Sequence, residues 1–405
     1  MTHSASLADG IVWIGVNDRE TDLFEALWPL PGGISYNAAL VVGEQVALID
    51  AVRAPFLPEL LAAIRRVLPG DRGPDYLVVN HLEPDHAGAL GTLLGIFPGM
   101  RVVGNAKTLD LLTVYHGITT GTVALADGEV LDLGGRRLRA LHAPMVHWPE
   151  TMLTFEETSR VLFTGDLFGS YGAVAAGPFA GDVGTALEAE ARRYYANVLG
   201  TYSSMVRKAL ARVDAADPAL VVPAHGPAWR DGARPVRAWY DRWSRYEAEP
   251  GAVVAFASMY RNTARMAESV AAGLAEAGID RIAVHDLARS HASFVLADLW
   301  RYGALALGGP TYNTGPFPAV ASLVRLLRTK RLANRALGIF GSYGWSGGGM
   351  EELRQLGAAP GWRLVPPEVE VRGAPREETL AECRRLGREL ARAMQAAPGP
   401  ATAPP

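Results

Sequence analysis

The chain has 405 residues, of which 49% are hydrophobic and 20% are charged, and its formal net charge is -3 at pH 7. This length allows two domains with separate cores, and the charge excludes the basic surface that nucleic-acid or membrane-surface binding requires. Because we find neither a signal-peptide pattern nor an apolar run long enough to span a membrane, we expect a cytoplasmic protein with no nucleic-acid and no membrane partner.

The first half of the chain is rich in short predicted strands. Apolar, β-rich runs cover 10–15, 35–42, 46–50, 76–79, 130–133, 138–141, 161–165 and 220–224, and helical patterns cover 55–67 and 87–96. Strands that dominate a region with helices between them are typical of layered α/β folds. We therefore predict an αββα sandwich, in which two sheets pack face to face and helices cover them.

The stretch 80–88 directly follows one of these strands. It places two imidazoles and two carboxylates within six positions, at His81, Glu83, Asp85 and His86. In an extended segment alternate side chains point the same way, so the first three would face one pocket and His86 would close it. Imidazole and carboxylate are ligands for iron, zinc and manganese, and this density favours two metals over one. The alternative is a solvated polar loop with a helix cap.

Three further candidates follow β-rich runs elsewhere in the first half. His147, Asp166 and His225 each stand before a turn rich in glycine or proline. Single residues at the ends of different strands can build one site from distant parts of a chain. Taken alone, each is a weak signal, because an isolated histidine at a strand end is more often a hydrogen-bonded structural residue than a ligand, and an aspartate there can simply cap a turn.

In order and spacing, these candidates resemble the ligand series of the flavodiiron proteins, which are built on a metallo-β-lactamase-like domain: His81, Glu83, Asp85, His86, His147, Asp166 and His225. The segment 147–152 is also similar to that family's sequence at the third ligand. The resemblance implies a diiron centre that is itself the catalytic site, with no separate acid or base. One iron would be held by His81, Glu83 and His147, and the other by Asp85, His86 and His225. Asp166 would bridge them.

Glu83 distinguishes redox chemistry from hydrolysis within this fold. Hydrolases that resemble the same pattern carry histidine at this position, which gives a nitrogen-rich site suited to zinc. An anionic oxygen at Glu83 favours iron, because negative ligands stabilise the ferric charge. A dizinc hydrolase fused to a flavodoxin-like module remains the alternative.

The second half of the chain predicts a different architecture. The apolar run 252–257 leads through a polar loop into a helix, and the strands 281–284, 303–307 and 336–340 alternate with helical stretches. This order indicates a doubly wound parallel sheet of the flavodoxin type, with its ligand at the carboxyl ends of the strands. We expect a diiron domain over 1–249, a flavodoxin-like domain over 250–394 and a disordered tail, rich in alanine and proline, over 395–405.

Three predicted loops at that sheet edge resemble the FMN-binding loops of the same family. Hydroxyl groups and a helix N-terminus suit a phosphate, while glycines and aromatic rings suit a flavin ring. One departure is Arg261, where flavodoxins usually place glycine. The candidate FMN-binding residues are Ser258, Met259, Tyr260, Arg261, Asn262, Thr263, Pro310, Thr311, Tyr312, Asn313, Ser342, Tyr343, Gly344, Trp345 and Gly347.

The resemblance implies a complete electron path. An external donor such as rubredoxin or a flavin/NADH reductase would reduce FMN, and the diiron centre would reduce dioxygen to water, nitric oxide to nitrous oxide, or both. A head-to-tail homodimer or homotetramer is implied, with the flavin of one subunit facing the diiron site of another. Cys383 is the single cysteine, so an iron-sulfur relay within this chain is excluded and the thiol should pack in a C-terminal helix. A pure electron carrier, with the first domain as scaffold, is a third possibility.

Overall fold

The computed structural model of the chain describes residues 4–174, 177–181 and 184–395. The chain divides into two compact units. The first comprises Met1–Tyr195 and Tyr202–Asp241, and the second comprises Ala196–Thr201 and Arg242–Pro405. Of the tail expected over 395–405, Gln395 ends the last helix and the remainder lies outside the described residues.

Among the described residues, the first unit contains two large sheets, two two-stranded sheets and several helices. Its strands are β1 Ala5–Ala8, β2 Ile11–Trp13, β3 Val16–Asp18, β4 Leu23–Phe24, β5 Trp28–Pro29, β6 Ile34–Tyr36, β7 Ala39–Val42, β8 Val46–Ile49, β9 Tyr76–Val78, β10 Arg101–Gly104, β11 Thr122–Ala124, β12 Val130–Asp132, β13 Arg137–His142, β14 Met152–Glu156, β15 Val161–Phe163, β16 Leu220–Val222 and β17 Trp229–Arg230. Its α-helices are α1 Leu57–Val67, α2 Pro84–Ala87, α3 Leu90–Ile96, α4 Ala106–His116, α5 Thr185–Tyr194, α6 Ser203–Ala216 and α7 Arg234–Ser244, which begins in this unit.

Thirteen of these strands form the two sheets of the predicted sandwich, while β3 pairs with β6 and β4 pairs with β5 in two small sheets. One sheet has the order β1-β2-β7-β8-β9-β10-β11, and the other has the order β12-β13-β14-β15-β16-β17. The core between them joins Val41, Ile49 and Val78 of the first sheet to Leu138 and Phe163 of the second. Removing this apolar surface from water is what holds the two sheets together.

Strand pairing places the candidate ligands at one edge. β15 and β16 run parallel, with Phe163 opposite Val222, so the residues that follow both strands emerge at the same level. Asp166 stands three positions beyond Phe163, and His225 three positions beyond Val222. In the other sheet His81 likewise follows the end of β9, which pairs in parallel with β8 and β10.

Two local expectations are corrected. The run 35–42 is two strands rather than one, because Asn37 leaves the ladder and donates its side-chain amide to the carbonyl oxygens of Pro223 and Gly226. The helix expected over 87–96 is also wrong at its start, since α2 begins at Pro84 and α3 at Leu90.

The second unit is a parallel sheet with helices. Its strands are β18 Glu249–Phe256, β19 Ile282–Asp286, β20 Tyr302–Tyr312, β21 Gly315–Pro316, β22 Arg335–Tyr343, β23 Trp362–Leu364 and β24 Val369–Arg372. Its helices are α8 Asn262–Glu276, α9 Ala292–Arg301, α10 Pro318–Lys330, α11 Glu351–Gly357 and α12 Glu377–Gln395.

The sheet of this unit has the order β19-β18-β20-β22-β23, with β24 also paired to β22. All of these pairings are parallel, as the doubly wound prediction requires. Leu274 of α8 and Leu386 of α12 pack in the core on the sheet, and Cys383 is fully buried there, as expected. Among the described residues, no helix combines the length and apolar character needed to cross a membrane.

Candidate metal centre and flavin loops

The first group of candidate ligands consists of His81, Glu83, His147 and Asp166. Glu83 Oε2 lies 3.2 Å from His81 Nε2 and 3.1 Å from His147 Nε2. Asp166 Oδ2 lies 3.4 Å from His81 Nε2 and 3.2 Å from His147 Nε2. Two imidazole nitrogens and two carboxylates therefore converge on one small space.

The second group consists of Asp85, His86 and His225, and it also meets Asp166. Asp85 places Oδ2 at 3.2 Å from His225 Nε2 and Oδ1 at 3.4 Å from His86 Nε2. Asp166 Oδ1 lies 3.3 Å from His225 Nε2 and 3.4 Å from His86 Nε2. The two oxygens of Asp166 thus face different groups.

The structure brings together all seven residues that the sequence singled out, but the alternation expected for residues 81–86 ends at Glu83. Glu83 has extended backbone angles, whereas Asp85 and His86 lie in the helical turn α2. Proline at the first position of α2 explains the change, because its fixed φ suits the start of a helix. The turn directs Asp85 and His86 into the second group, instead of placing Asp85 beside Glu83 in the first.

Hydrogen bonds behind the site orient two of the imidazoles. His81 Nδ1 lies 2.8 Å from Glu150 Oε1, and His225 Nδ1 lies 2.8 Å from the carbonyl oxygen of Ser35. An ionised carboxylate and a carbonyl can only accept, so each Nδ1 carries a hydrogen, and in the neutral ring each Nε2 presents its lone pair to the centre. This is the tautomer that a metal ligand needs.

Several residues behind the ligands were not assigned a role from sequence. Glu150 also accepts from the backbone N–H of Leu82 at 2.9 Å, and Tyr194 donates its hydroxyl to Asp166 Oδ1 at 2.6 Å. The position of Glu150, three residues after His147, was a usable signal. Tyr194 comes from α5 and Ser35 from β6, and no local pattern connects either residue to the ligands.

Several ionisable side chains of the two ligand groups strongly shift one another's pKa values. Burial opposes ionisation of Glu83, but hydrogen bonds from His147 and His81 outweigh burial and lower the pKa of Glu83 to about 2. Burial also disfavours the imidazolium forms, yet the negative charge of Asp166 and of the neighbouring carboxylates raises the pKa of His147 to about 9 and of His225 to about 10. The carboxylates thus demand compensating positive charge, which protons or metal cations can supply.

Unpaired polar atoms favour metal cations. Among the described residues, hydrogen-bond partners are lacking for buried atoms of the second group and the bridge: both carboxylate oxygens of Asp85, both ring nitrogens of His86, Asp166 Oδ2 and His225 Nε2. Buried polar atoms without partners are rare and costly. Because these atoms are imidazole nitrogens and carboxylate oxygens, the donor set fits a pair of transition-metal ions.

A cavity of about 530 Å³ opens beside the centre. Glu83 and Asp85 form part of its wall, and Leu23, Phe24 and Arg53 form another part. A small molecule in this cavity would lie next to one carboxylate from each group of ligands.

The three predicted flavin loops meet at one edge of the second unit. β18, β20 and β22 are adjacent and parallel, with Phe256, Gly308 and Phe340 in register. The loop expectation is corrected in part, because β20 continues through Tyr312 and β22 through Tyr343. These extensions exist because β21 and β24 pair with the strand ends.

The first of these loops fits a phosphate. Ser258 Oγ is buried and has no hydrogen-bond partner among the described residues, and α8 begins just beyond, at Asn262. Thr263 Oγ1 lies 3.1 Å from Ser342 Oγ, which joins the first loop to the end of β22. Hydroxyls and backbone N–H groups at a helix start are the donors that a phosphate needs.

Four of the remaining flavin candidates are large side chains with high exposure, and three of these are aromatic. Tyr260 is 84% exposed and Trp345 is 89% exposed, while Met259 and Tyr312 are each 45% exposed. Large apolar side chains at this exposure are uncommon in a folded unit and mark a contact surface. An isoalloxazine ring is a planar apolar group that such side chains can cover.

Both halves of the chain match known protein families. Residues 34–226 match the family described as ODP family beta lactamase, and residues 254–387 match the flavodoxin family. The two matches correspond to the unit with the candidate metal centre and the unit with the candidate flavin loops.

Similar proteins extend over nearly the whole chain. The nitric oxide reductase of Moorella thermoacetica is 32% identical over 96% of this chain and 99% of its own length. The anaerobic nitric oxide reductase flavorubredoxin of Shigella flexneri is 31% identical over 98% of this chain and 84% of its own length. The solved structure of rubredoxin oxygen:oxidoreductase from Desulfovibrio gigas superposes with a TM-score of 0.93 at 28% identity, over 97% of this chain and 99% of that one. The flavodiiron protein of Giardia intestinalis gives a TM-score of 0.91 at 27% identity, over 98% of each chain.

Proposed function

Because the chain belongs to the flavodiiron protein family, we propose that it is an oxidoreductase that carries electrons from an external donor through FMN to a diiron centre. The small oxidant reduced there is dioxygen, nitric oxide or both. The observation that carries this proposal is the pair of ligand groups that share Asp166. Two metals with a common carboxylate are suited to delivering electrons together to one small molecule.

The residues that would hold the irons follow from the two groups. His81, Glu83 and His147 would bind one ion, and the second group would bind the other: Asp85, His86 and His225. Asp166 would bind both ions through its two oxygens. When bound, iron supplies one-electron redox chemistry that zinc lacks. The carboxylate at Glu83 supports iron over zinc, because an anionic oxygen stabilises the ferric charge.

FMN would occupy the strand ends of the second unit. Ser258 and Thr263 would donate to its phosphate, and Tyr343 and Trp345 would lie against its ring. When bound, FMN can accept electrons singly or in pairs and release them singly, so it can connect either kind of donor to one-electron iron. The unpaired hydroxyl of Ser258 supports this placement of the phosphate.

The cavity supports a small oxidant as substrate. Leu23 and Phe24 give part of its wall an apolar surface, and the carboxylates Glu83 and Asp85 face it from the metal centre. Dioxygen and nitric oxide are small and nearly apolar, so entry needs little desolvation and no anchoring charge.

The proposed partners are an electron donor and a second copy of the chain. The names of two relatives include rubredoxin, and we infer a rubredoxin-like carrier or a flavin/NADH reductase as the donor. The proposed assembly is a head-to-tail homodimer, or a homotetramer built from it, in which the flavin of one subunit serves the diiron centre of another. The exposure of Tyr260, Tyr312 and Trp345 supports a contact at the flavin loops.

The proposal is tested by donor-dependent consumption of the oxidant. Protein loaded with iron and FMN is given NADH, a rubredoxin and its reductase, and dioxygen and nitric oxide are followed in separate electrode experiments. We expect rapid loss of at least one oxidant, and no rapid loss when rubredoxin is omitted or when the His147→Ala variant is used. A loaded protein that consumes neither gas with any of these donors contradicts the proposed function.

A further inference from the structure

The two candidate metal positions receive different support from the residues behind them. The first position comprises His81, Glu83 and His147, and the second comprises Asp85, His86 and His225. Each position has one carboxylate of its own and a share of Asp166. The difference therefore depends on what lies behind the imidazoles.

Behind the first position stands a charged group. Glu150 is fully buried and accepts from His81 Nδ1 at 2.8 Å and from the N–H of Leu82 at 2.9 Å. A carboxylate on the far nitrogen makes an imidazole a stronger electron donor to its metal. His81 therefore brings a buried negative charge to the first position.

Behind the second position the support is neutral. His225 Nδ1 is held by the carbonyl oxygen of Ser35 at 2.8 Å. His86 Nδ1 is buried and has no hydrogen-bond partner among the described residues. Neither imidazole of this position is hydrogen-bonded at its far nitrogen to a carboxylate.

The bridging carboxylate of Asp166 also directs more of its negative charge to the first position than to the second. Tyr194 donates its hydroxyl to Asp166 Oδ1 at 2.6 Å, and Oδ1 is the oxygen that faces His86 and His225. Asp166 Oδ2 faces His81 and His147. The hydrogen bond withdraws negative charge from the second position and leaves it at the first.

Other nearby charges act less directly. Asp50 is a buried carboxyl whose electrostatic neighbours include His86 and, less strongly, His81, so its charge acts on both positions. Burial raises the pKa of Asp50, and its carboxyl accepts hydrogen bonds from Asn80, whereas Glu150 bonds directly to an imidazole. Arg53 is paired with Asp18 at 3.2 Å. Glu25 interacts electrostatically with Glu83 and His147 of the first position. When Glu25 is ionised, it adds negative charge near that position.

From this arrangement we infer that Glu150 is a positioning residue that makes the two irons unequal, so that the first position holds the ferric ion when the centre is half reduced. The inference rests on the proposed diiron function. With iron bound, the ion held by Asp85, His86 and His225 would accept the first electron from FMN, and the ion held by His81, Glu83 and His147 would accept the second. Greater negative charge stabilises the higher oxidation state, so the first position has the lower reduction potential.

The variant Glu150→Gln tests the inference with little change of shape. Its amide oxygen can accept both bonds that Oε1 now accepts, while the charge is removed. Glu156→Gln is the control, because Glu156 is also fully buried in the first unit but pairs with Arg136 at 3.3 Å instead of a ligand. Both variants are isolated with iron and FMN, and their iron content is measured first.

The readout is a potentiometric titration followed by the electron paramagnetic resonance signal of the half-reduced centre. In Glu150→Gln the reduction potential of the first position, which is the lower of the two, should rise. At a fixed potential the ferric-to-ferrous ratio of this position should fall about tenfold, which corresponds to a rise of about 59 mV for one electron. The higher potential should move less, so the two steps approach each other and the maximum of the half-reduced signal falls. The control should retain the wild-type separation.

Each outcome has a distinct meaning. Equal shifts of both steps, or an unchanged separation in Glu150→Gln with full iron content, overturn the inference and leave the proposed function intact. Loss of iron from Glu150→Gln alone assigns Glu150 to metal retention and also overturns the inference as stated. A wild-type protein without two irons or without any half-reduced signal would contradict the diiron function itself.

Discussion

At the scale of single residues, the site depends on directed lone pairs. Nδ1 of His81 and Nδ1 of His225 are each held by an acceptor, so their Nε2 atoms face the carboxylates of the centre. All seven candidate ligands could be found from sequence because they are chemically distinctive and stand at the ends of strands. Tyr194 and Ser35 could not, since a hydroxyl or a carbonyl becomes important only when the fold brings it to a ligand.

Replacing Asp166 with alanine tests the bridge. The change removes both oxygens that face the two groups, so we expect iron affinity to fall at least ~10-fold. FMN content should be unchanged, because its site lies in the other unit. Metal analysis and flavin absorbance of the purified protein provide the measurement.

Asp110→Ala is the matched control, because Asp110 is exposed on α4 and pairs with the exposed Lys107. It should keep its iron. If a folded Asp166→Ala protein loses iron and flavin together, the assignment of two separate sites is wrong.

Replacing Thr263 with valine tests the phosphate loop. Valine keeps the shape but removes the hydroxyl that meets Ser342 at 3.1 Å, and FMN binding should weaken by about 1 to 3 kcal/mol if a phosphate oxygen is left unpaired. Thr263→Ser keeps the hydroxyl and should bind nearly as the wild type does. Titration of flavin-free protein with FMN measures both, and equal affinity of Thr263→Val and wild type would place the phosphate elsewhere.

At the scale of elements, the parallel pairing of strands brings together ligands that lie far apart in the sequence. The register of β15 with β16 brings Asp166 and His225 to one edge although the chain between them contains α5 and α6. Sequence patterns predicted these strands because they are short apolar runs. They missed the start of α2 and the extension of β20, since a helical turn at a proline and a pairing with β21 depend on neighbours distant from the pattern.

The loop before α8 permits a prediction about its backbone. Arg261 has φ 67°, in the left-handed region that favours glycine, and this accounts for the glycine usual at this position in flavodoxins. Arg261→Gly should stabilise the flavin-free second unit by about 1 kcal/mol, because the β-carbon clash disappears. Urea unfolding gives the value, read from the transition that added FMN moves to higher urea.

Arg261→Lys is the control for that gain. Lysine keeps both the β-carbon and the charge, so the unfolding free energy should remain at the wild-type value. An unchanged or lower stability of Arg261→Gly would mean that the conformation at this position is not strained. The side chain itself is exposed and lies 3.8 Å from Glu268, so its removal should have little other effect on the folded unit.

At the scale of the whole molecule, the two units have different roles: the first carries the candidate metal centre, and the second carries the candidate flavin loops. Composition and strand order were enough to predict both folds, because each unit has its own periodicity and its own core. Assembly could not be predicted from these patterns, since the periodicity of strands and helices does not show which exposed surfaces of two copies meet. The proposed route from a flavin to the diiron centre of another subunit therefore needs its own test.

Complementation between variants tests that route. His147→Ala should disable the metal centre, and Thr263→Asp should disable the flavin site by placing a carboxylate where the phosphate is expected. Each homodimer should be inactive with rubredoxin as donor, whereas mixed dimers should recover activity because one intact flavin then faces one intact metal centre. Both variants must be shown to fold and exchange subunits. Confirmed heterodimers without any recovery would favour transfer within a single chain.

The most direct test of the diiron and flavin assignment is the metal and flavin content of the purified protein. Elemental analysis and flavin absorbance of one preparation give the molar ratios to protein. The assignment predicts two irons and one FMN per chain, in agreement with the two ligand groups and the single set of strand-end loops. Two zinc ions per chain, in protein grown with ample iron, would contradict it and favour the hydrolase alternative, and FMN without any bound metal would favour a simple electron carrier.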